Sequence, residues 1–340
     1  MKKYKTLFLT HRAPVHQRLA IEAAPGMLDI TMLRDPAKKE IIEAIREADF
    51  LITEREDVID REIIENTERL KLITRLGSRV WDIDLEAACE RGIPVCRLPL
   101  NSCIHVAEHI IMQMLTLARR ARESMDVMNT TDWNKEPRLC TEDLFAYNWS
   151  DRSGMGLLWN STAGILGFGE IGNELAVRLK AFGCRVEYNK RTPLPREAEN
   201  ALDINYRKKE ELIGNNDFVV SLLPFIPGTE RSIDTLFFNS MKAGSFFVHC
   251  GGSGVVQEEA VINALKSGRL AGAALDTFSW EPVRDYEPIL ELSRDPRVNL
   301  VLTPHVAAGG TDMKKANPRA VYYENIIHCI EGKPLTHQVV

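Results

Sequence analysis

The chain has 340 residues, of which 44% are hydrophobic and 27% are charged, the composition of a globular protein long enough for two separate cores. The formal net charge of -5 offers no basic surface, so nucleic acid and anionic membranes are not expected partners. Seven cysteines without a C-x-x-C pair favour free thiols, and no apolar run approaches the roughly 18 residues of a membrane helix. We therefore expect a cytoplasmic protein.

Short apolar runs alternate with helical patterns along the first hundred residues. The runs are "KTLFLT", "LDITML", "DFLIT", "LKLITRLG" and "IPVC". Between the second and third, "DPAKKEIIEAIREA" predicts a helix that Asp35 caps and in which Pro36 takes the first turn. Continuous apolar strands separated by amphipathic helices predict an α/β fold with a doubly wound parallel sheet.

A long helical pattern follows, and then an irregular segment. In "CIHVAEHIIMQMLTLARRARESM" the apolar residues keep helical spacing, which predicts one long amphipathic connector. His105 and His109 have i, i+4 spacing on it without a third ligand, so we expect no metal. Residues 127–160 are polar and carry Trp133, Trp149 and Trp159. These aromatics would pack either on another subunit or in a loop folded back on the surface.

From about residue 163 the alternation resumes and predicts a second doubly wound sheet. Its runs are "AGILGFG", "CRVEYNK", "DFVVSLLP", "SFFVHC", "AGAALDTF" and "NLVLTPH". Gly167, Gly169 and Gly172 form G-x-G-x-x-G between the first run and a helical pattern. Such a turn lets the backbone and a helix N-terminus approach a pyrophosphate, which predicts dinucleotide binding. The alternative is a glycine-rich turn that binds nothing.

The end of the next run indicates which dinucleotide is bound. An NAD site usually has an acidic residue there, whereas this chain has Asn189, Lys190, Arg191 and Thr192, and Glu187 lies too early. Two cations suit the 2'-phosphate of NADP, so NADP(H) is favoured and NAD(H) remains possible. An ordinary solvated basic turn is the alternative.

Motifs along nearly the whole chain resemble those of the D-isomer-specific 2-hydroxyacid dehydrogenases. They are "LKLITRLGSRVWDIDLEAACERGIPV", "VAEHIIMQML", "GILGFGEIG", "SLLPFIPGTE", "AALDTFSWEP", "LVLTPHV" and "ENIIHCIEGKPL". The resemblance implies a Rossmann coenzyme domain (104–305) inserted into a flavodoxin-like substrate domain (1–103 plus 306–340). It also implies a homodimer formed through the coenzyme domains.

The resemblance assigns roles to individual residues. His305 would be the acid/base that exchanges a proton with the substrate carbonyl, and Glu281 would pair with it and raise the pKa of its imidazole. Asp276 matches a position that holds the nicotinamide amide. Cys250 would lie near the coenzyme, either as a reactive thiol or as a buried one. The other expected coenzyme contacts are Val106, Phe168, Glu170, Ile171, Leu223, Pro224 and Gly251, beside the glycines and the basic turn above.

Two positions depart from the family pattern. Where the family has an arginine that holds the substrate, in "HCGGSG", this chain has Gly252. In "TRLGSRVWDID", Arg79 stands where glycine is usual. Our hypothesis is that Arg79 replaces the missing arginine in a substrate turn formed with Gly77, Ser78 and Trp81. The alternative is a surface arginine on a changed loop.

Two functions therefore remain open. The first is an oxidoreductase that transfers hydride between a nicotinamide coenzyme and a 2-oxo or 2-hydroxy acid or a related carbonyl compound. The second is a nucleotide-responsive binding protein that kept the fold with weak or no dehydrogenase activity. Loss of the arginine supports the second, and retention of both His305 and Glu281 supports the first.

Overall fold

A computed structural model describes residues 3–54, 58–130, 135–145, 147–309 and 317–340. The chain forms two compact units. The discontinuous unit consists of Met1–Asn101 and Gly310–Val340, and the inserted unit of Ser102–Gly309. The expected fold class, one α/β domain inserted into another, is confirmed.

The discontinuous unit is built on a five-stranded parallel sheet of order β2-β1-β3-β4-β5. This is the flavodoxin-like strand order. Its strands are β1 (Tyr4–Thr10), β2 (Leu28–Arg34), β3 (Phe50–Glu54), β4 (Leu72–Leu76) and β5 (Val95–Leu98). Its first helices are α1 (Pro14–Glu22), α2 (Lys38–Ile45), α3 (Arg61–Glu65) and α4 (Leu85–Glu90).

One predicted helix start in this unit is wrong. Asp35 does not cap α2, because its backbone is left-handed (φ 50°) and its carboxylate pairs with His11. The helix begins at Lys38, and the backbone N–H of Ala37 donates to Glu40 Oε2 at 2.7 Å. The side chain that satisfies the helix N-terminus thus comes from inside the helix.

The C-terminal part of the chain completes the discontinuous unit. It contains the 3₁₀ helix η1 (Pro318–Tyr323) and α13 (Glu324–Glu331). Tyr323 is fully buried, and its hydroxyl donates to Ala20 O at 2.6 Å. The last residues run antiparallel to β5, with Val339 N donating to Val95 O at 2.8 Å. This pairing protects the edge of β5.

The inserted unit is built on a seven-stranded parallel sheet of order β12-β11-β10-β9-β6-β7-β8. The order runs from β6 to β7 and β8 on one side and to β9, β10, β11 and β12 on the other, as in a Rossmann sheet. Its strands are β6 (Thr162–Leu166), β7 (Arg185–Asn189), β8 (Ile204–Tyr206), β9 (Phe218–Ser221), β10 (Ser245–His249), β11 (Leu270–Leu275) and β12 (Leu300–Leu302). Its helices are α5 (Asn101–Ala118), α6 (Ala121–Thr130), α7 (Glu170–Ala181), α8 (Arg196–Leu202), α9 (Lys209–Asn215), α10 (Thr235–Ser240), α11 (Glu258–Lys266) and α12 (Pro288–Arg294).

The predicted long connector is two helices. α5 ends at Ala118 and α6 begins at Ala121, because Arg120 takes a left-handed backbone conformation (φ 48°). The buried apolar residues of α5 end at the same point, and α6 has no buried residue. Within the described ranges, no helix combines the length and apolarity needed to cross a membrane.

Candidate active site

The three glycines of the G-x-G-x-x-G turn lie between β6 and α7, and each has a distinct environment. Gly167 has φ +84°, and a Cβ there would lie 2.8 Å from the backbone of Leu222. A Cβ on Gly172 would lie 3.0 Å from the ring of Phe168. Gly169, the N-cap of α7, has open space around the same position. The turn thus leaves room for an anion at the N-terminus of a twelve-residue helix, which fits a dinucleotide pyrophosphate.

The acidic side chain that precedes the basic turn after β7, that of Glu187, is already hydrogen-bonded. Both carboxylate oxygens of Glu187 are engaged, one by Arg207 Nε at 2.8 Å and the other by Asn216 Nδ2 at 2.9 Å. Asn189 Nδ2 donates to Arg207 O at 2.7 Å, while Arg191 and Thr192 are exposed. The residues around this strand end therefore suit a negatively charged ligand.

The other expected coenzyme residues lie at various depths in the inserted unit. Val106 is buried on α5, Leu223 is partly buried and Pro224 is exposed. Cys250 is buried, and its Sγ donates to Gln113 Oε1 at 3.4 Å. Burial raises the pKa of the Cys250 thiol well above its usual value. The raised pKa favours the protonated thiol over the reactive thiolate.

His305 and Glu281 are brought together at the ends of β12 and β11. His305 Nδ1 lies 2.7 Å from Glu281 Oε2. The other carboxylate oxygen accepts from Ser253 Oγ at 2.8 Å and from Phe278 N at 3.0 Å. Burial alone would raise the pKa of Glu281, but the hydrogen bonds from His305, Phe278 and Ser253 lower it. An anionic carboxylate thus orients the imidazole.

Asp276 holds the turn that presents His305. The carboxylate is 1% exposed, and it accepts from Val306 N at 3.0 Å and from Ala307 N at 2.9 Å. Its backbone oxygen accepts from His305 N at 2.8 Å. These bonds hold His305 in a left-handed conformation (φ 51°), unusual for a residue with a side chain, while the imidazole is 54% exposed. Contact of Asp276 with a nicotinamide amide remains a prediction.

A partly buried chain of hydrogen bonds leads from Asp276 to α5. Thr303 Oγ1 donates to Asp276 Oδ1 at 2.6 Å. The same hydroxyl lies 3.1 Å from His109 Nε2, and it accepts from Gln113 Nε2 at 3.2 Å. Burial lowers the pKa of His109, which favours a neutral imidazole despite the neighbouring Asp276. His109 therefore takes part in this series of hydrogen bonds. Its spacing in the sequence had indicated only a position on the face of a helix.

The glycine corner after β10 leaves no room for a side chain at its centre. A Cβ on Gly252 would lie 2.2 Å from Phe225 N, and one on Gly251 would lie 2.6 Å from Leu223 O. Gly252 N donates to Leu223 O at 2.8 Å, which fixes this close approach. An arginine at Gly252 is thus incompatible with the backbone as it stands.

The predicted substrate turn follows β4 in the discontinuous unit. Gly77 N donates to Leu98 O at 2.7 Å, which ties the turn to the end of β5. Arg97 Nη1 donates to Ser78 O at 3.1 Å. Arg79 and Trp81 are half-buried, and the Arg79 Nε is buried without a hydrogen-bond partner among the described residues. Arg79 is therefore not a freely solvated surface cation.

The sequence family described as "D-isomer specific 2-hydroxyacid dehydrogenase, NAD binding domain" matches residues 111–307. The chain belongs to this family. A glyoxylate reductase of Thermococcus litoralis is 30% identical over 331 residues, which cover 96% of this chain and 94% of that protein. A D-3-phosphoglycerate dehydrogenase of Methanocaldococcus jannaschii is 31% identical over 305 residues. Those residues cover 89% of this chain but 54% of that relative, so this chain spans about half its length.

A solved structure from Pyrococcus horikoshii matches with a TM-score of 0.58 and 28% identity, covering 99% of this chain and 95% of that one. Membership in the dehydrogenase family makes this chain a nicotinamide-dependent oxidoreductase, as the motifs predicted. The open space at Gly169 and the basic turn after β7 are the features of this structure that fit such a coenzyme.

Proposed function

We propose that this dehydrogenase interconverts a 2-oxo acid, or a related carbonyl compound, and the corresponding hydroxy compound, with His305 as the acid/base. The observation that carries the proposal is the 2.7 Å contact between His305 Nδ1 and Glu281 Oε2. The name of the glyoxylate reductase relative supports a small 2-oxo acid as the substrate class. A binding module has no need of an imidazole held in this way.

The proton is given and recovered by residues of this chain. A bound nicotinamide supplies or accepts the hydride. Because Nδ1 of His305 faces the carboxylate, Nε2 is left to give a proton to the substrate oxygen during reduction and to recover it in reverse. The anionic Glu281 keeps that ring in this orientation through its contact with Nδ1. Arg79, with its planar fork, holds the substrate carboxylate in place of the family arginine.

We propose NADP(H) as the preferred coenzyme, with Lys190 and Arg191 facing the 2'-phosphate. The engagement of both Glu187 oxygens supports this choice, because no acid remains at the strand end to hold a free ribose hydroxyl. The ratio of kcat/KM for NADPH and NADH measures the preference. Arg191→Ala should lower it, and an unchanged ratio contradicts the assignment.

The activity is tested by following reduced-nicotinamide absorbance with a panel of 2-oxo acids. His305→Ala and His305→Gln should each lower kcat by about 10² or more, the usual scale of general acid–base catalysis, with coenzyme binding retained. Arg79→Ala should raise KM steeply. Turnover that survives both His305 variants would remove the proposal.

The alternative is a nucleotide-responsive binding protein, and the closed corner at Gly252 favours it. It predicts tight coenzyme binding by calorimetry with no turnover of any carbonyl compound. Turnover that depends on His305 excludes it. A hydride transfer to a different electrophile would instead appear as His305-dependent oxidation of NADPH by carbonyl compounds other than 2-oxo acids.

We further propose a cytoplasmic homodimer formed through the inserted unit. All seven cysteines are free thiols, as a reducing compartment favours. Met125 and Met128 on α6 are 66% and 57% exposed, and Trp159 is 70% exposed, so a second copy could cover them. Trp133 lies outside the described residues. Light scattering should give a dimer mass, and Met125→Glu with Met128→Glu should lower it.

A further inference from the structure

Three arginines near the carboxyl ends of β4 and β5 differ in how their charge is compensated. Arg75 is buried and paired with the buried Asp82, with Nη2 2.9 Å and Nε 3.0 Å from Oδ2. Arg79 and Arg97 have no ion pair with any residue in the described part of the chain. The Nε of each is buried without a hydrogen-bond partner among those residues. One arginine is therefore neutralised by the fold, and two are not.

The two uncompensated arginines meet at one turn, because Arg79 lies in the turn after β4 and Arg97, on β5, contacts it. Arg97 Nη1 donates at 3.1 Å to Ser78 O, which is the carbonyl of the peptide bond between Ser78 and Arg79. The Gly77 N to Leu98 O bond of 2.7 Å joins the two strand ends. The backbone of Arg97 is fixed from the other side, because its N–H donates to His337 O at 3.1 Å. The guanidinium of Arg97 and the peptide bond that precedes Arg79 are thus held in a hydrogen-bonded frame.

Among the residues that the structure describes, neighbouring carboxylates do not compensate these charges. Asp82 is taken by Arg75, and Glu54, at the end of β3, is taken by Arg12. Withdrawing a guanidinium from water without a counter-ion or an acceptor for its N–H groups is unfavourable. The carboxyl ends of parallel strands are also where open α/β sheets bind ligands. In the part of the chain that the structure describes, no anion completes this turn.

We propose that Arg79 and Arg97 form a two-cation site, and that the substrate is a 2-oxo acid with a second acidic group, either a carboxylate or a phosphate. Arg79 holds the carboxylate next to the reacting carbonyl, and Arg97 holds the second acid. This inference rests on the proposed function and adds to it a residue, Arg97, and a substrate class. A monoanionic substrate would leave one of the two guanidinium groups unpaired.

The site is tested without turnover by titrating the protein with unreactive anions. The probes are malonate as a dicarboxylate, propionate as a monocarboxylate and inorganic phosphate. The arginine Nε–H signals in a ¹H–¹⁵N NMR spectrum report binding, and Arg79→Lys and Arg97→Lys assign them, since lysine has no such group. We expect malonate or phosphate to shift both signals and to bind at least tenfold more tightly than propionate. A comparison of malonate with inorganic phosphate shows whether the second acidic group is a carboxylate or a phosphate.

Variants separate anion binding by Arg97 from its structural support of the turn. Arg97→Gln should weaken malonate or phosphate binding about tenfold and change propionate binding less than twofold, whereas Arg97→Lys should retain most of the affinity. The control is Arg46→Gln, which removes the same charge from an exposed position. Equal loss for monoanions and dianions in Arg97→Gln, or no shift of either Nε–H signal, would overturn the site.

Turnover then distinguishes failure of the site from failure of the proposed function. If dianionic probes bind as expected but no 2-oxo acid is reduced, the site stands and the proposed function fails. If 2-oxo acids are reduced and a second acid group gives no advantage in kcat/KM, the function stands and the two-cation site is wrong.

Discussion

Ser253 is a third contributor to the pair formed by His305 and Glu281. Its hydroxyl donates to Glu281 Oε1 at 2.8 Å, and this bond is one of those that lower the pKa of the carboxyl group. His305 is the titratable group that contacts this carboxylate, and Glu258 lies nearby through its bonds to Ser279. Ser253→Ala should therefore raise the pKa of Glu281 and move the acidic limb of the pH profile of kcat/KM to higher pH.

Ser279 provides the matched control for this prediction. Its hydroxyl donates to the carboxylate of Glu258 at 3.0 Å and not to that of Glu281. Ser279→Ala removes the same group from the loop that carries Glu281 and should leave the acidic limb in place. Equal displacement by both variants would show that Ser253 acts through general loop stability. Ser253→Thr, which keeps a hydroxyl, should restore the wild-type profile.

His249, at the end of β10, makes folding stability depend on pH. Burial lowers the pKa of its imidazole to about 4, although hydrogen bonds with the backbone of Gly252 and Ser221 and the charge of Asp276 oppose this shift. Because the unfolded chain binds this proton near pH 6.5, the contribution of His249 is complete above that pH and is lost as the pH falls toward 4. One such proton gives a slope of about 1.4 kcal/mol per pH unit in the free energy of unfolding.

Chemical denaturation at several pH values tests this contribution. His249→Asn should flatten the pH dependence between about pH 4 and 6.5, by up to the slope of one proton. His337→Asn, at an exposed position, is the control for replacing an imidazole by an amide. Identical slopes for His249→Asn and the wild-type protein would show that His249 is protonated in the folded state.

The sequence indicated some site residues and not others, for a physical reason. His305, Glu281 and Gly252 were found because they lie in, or depart from, short contiguous motifs. Ser253 and Thr303 were missed, because each acts through a partner more than 25 residues away, at separations of 28 and 27 residues. Hydrogen bonds between strand ends depend on the sheet order, which local patterns do not contain.

At the scale of elements, the glycine corner and the segment after β9 fit closely together. Because a Cβ at Gly252 would lie 2.2 Å from Phe225 N, Gly252→Ala must push apart two backbones that share the bond from Gly252 N to Leu223 O. Overpacking of this kind costs about 1–3 kcal/mol of stability. The matched control is Gly228→Ala in the same segment, where the new Cβ would meet nothing within 4 Å. Denaturation should show no more than about 0.5 kcal/mol for this control.

The close packing at Gly252 also predicts the effect of restoring the family arginine at that position. Gly252→Arg carries the same Cβ, so it should destabilise at least as much as Gly252→Ala and should not raise kcat/KM. If Gly252→Ala is as stable as Gly228→Ala, the close approach to Phe225 is not a constraint, and the loss of the arginine needs another explanation.

The elements themselves were predicted where apolar runs were long enough to carry a pattern. Every strand of the five-stranded sheet coincides with a predicted run, whereas β8 was missed because its three residues, Ile204–Tyr206, include the polar Asn205 and form no apolar run. The break between α5 and α6 was missed because Arg119 and Arg120 continue a helical composition, and only the left-handed backbone at Arg120 ends the helix. Neither glycine nor proline marks that position.

At the scale of the whole molecule, the two units differ in how the chain builds them. The inserted unit is one continuous stretch, 102–309, and holds all seven strands of its sheet. Its core is formed by buried residues of its own strands and helices, among them Phe238, Phe247 and Leu275. A fragment with these bounds should fold cooperatively and bind coenzyme, as shown by circular dichroism and calorimetry, because its sheet and its glycine turn are intact.

The discontinuous unit should not fold from its N-terminal part alone. Residues 1–101 hold all five strands, but they lack the fully buried Tyr323, which donates to Ala20 O. They also lack the tail whose Val339 N donates to Val95 O at 2.8 Å, so the edge of β5 would be exposed. We expect this fragment to aggregate or to unfold without a cooperative transition. Supplying residues 317–340 through a short linker should restore the transition, since the same hydrogen bonds can then form. If the fragment 1–101 unfolds cooperatively without them, the C-terminal segment packs on a unit that is already stable.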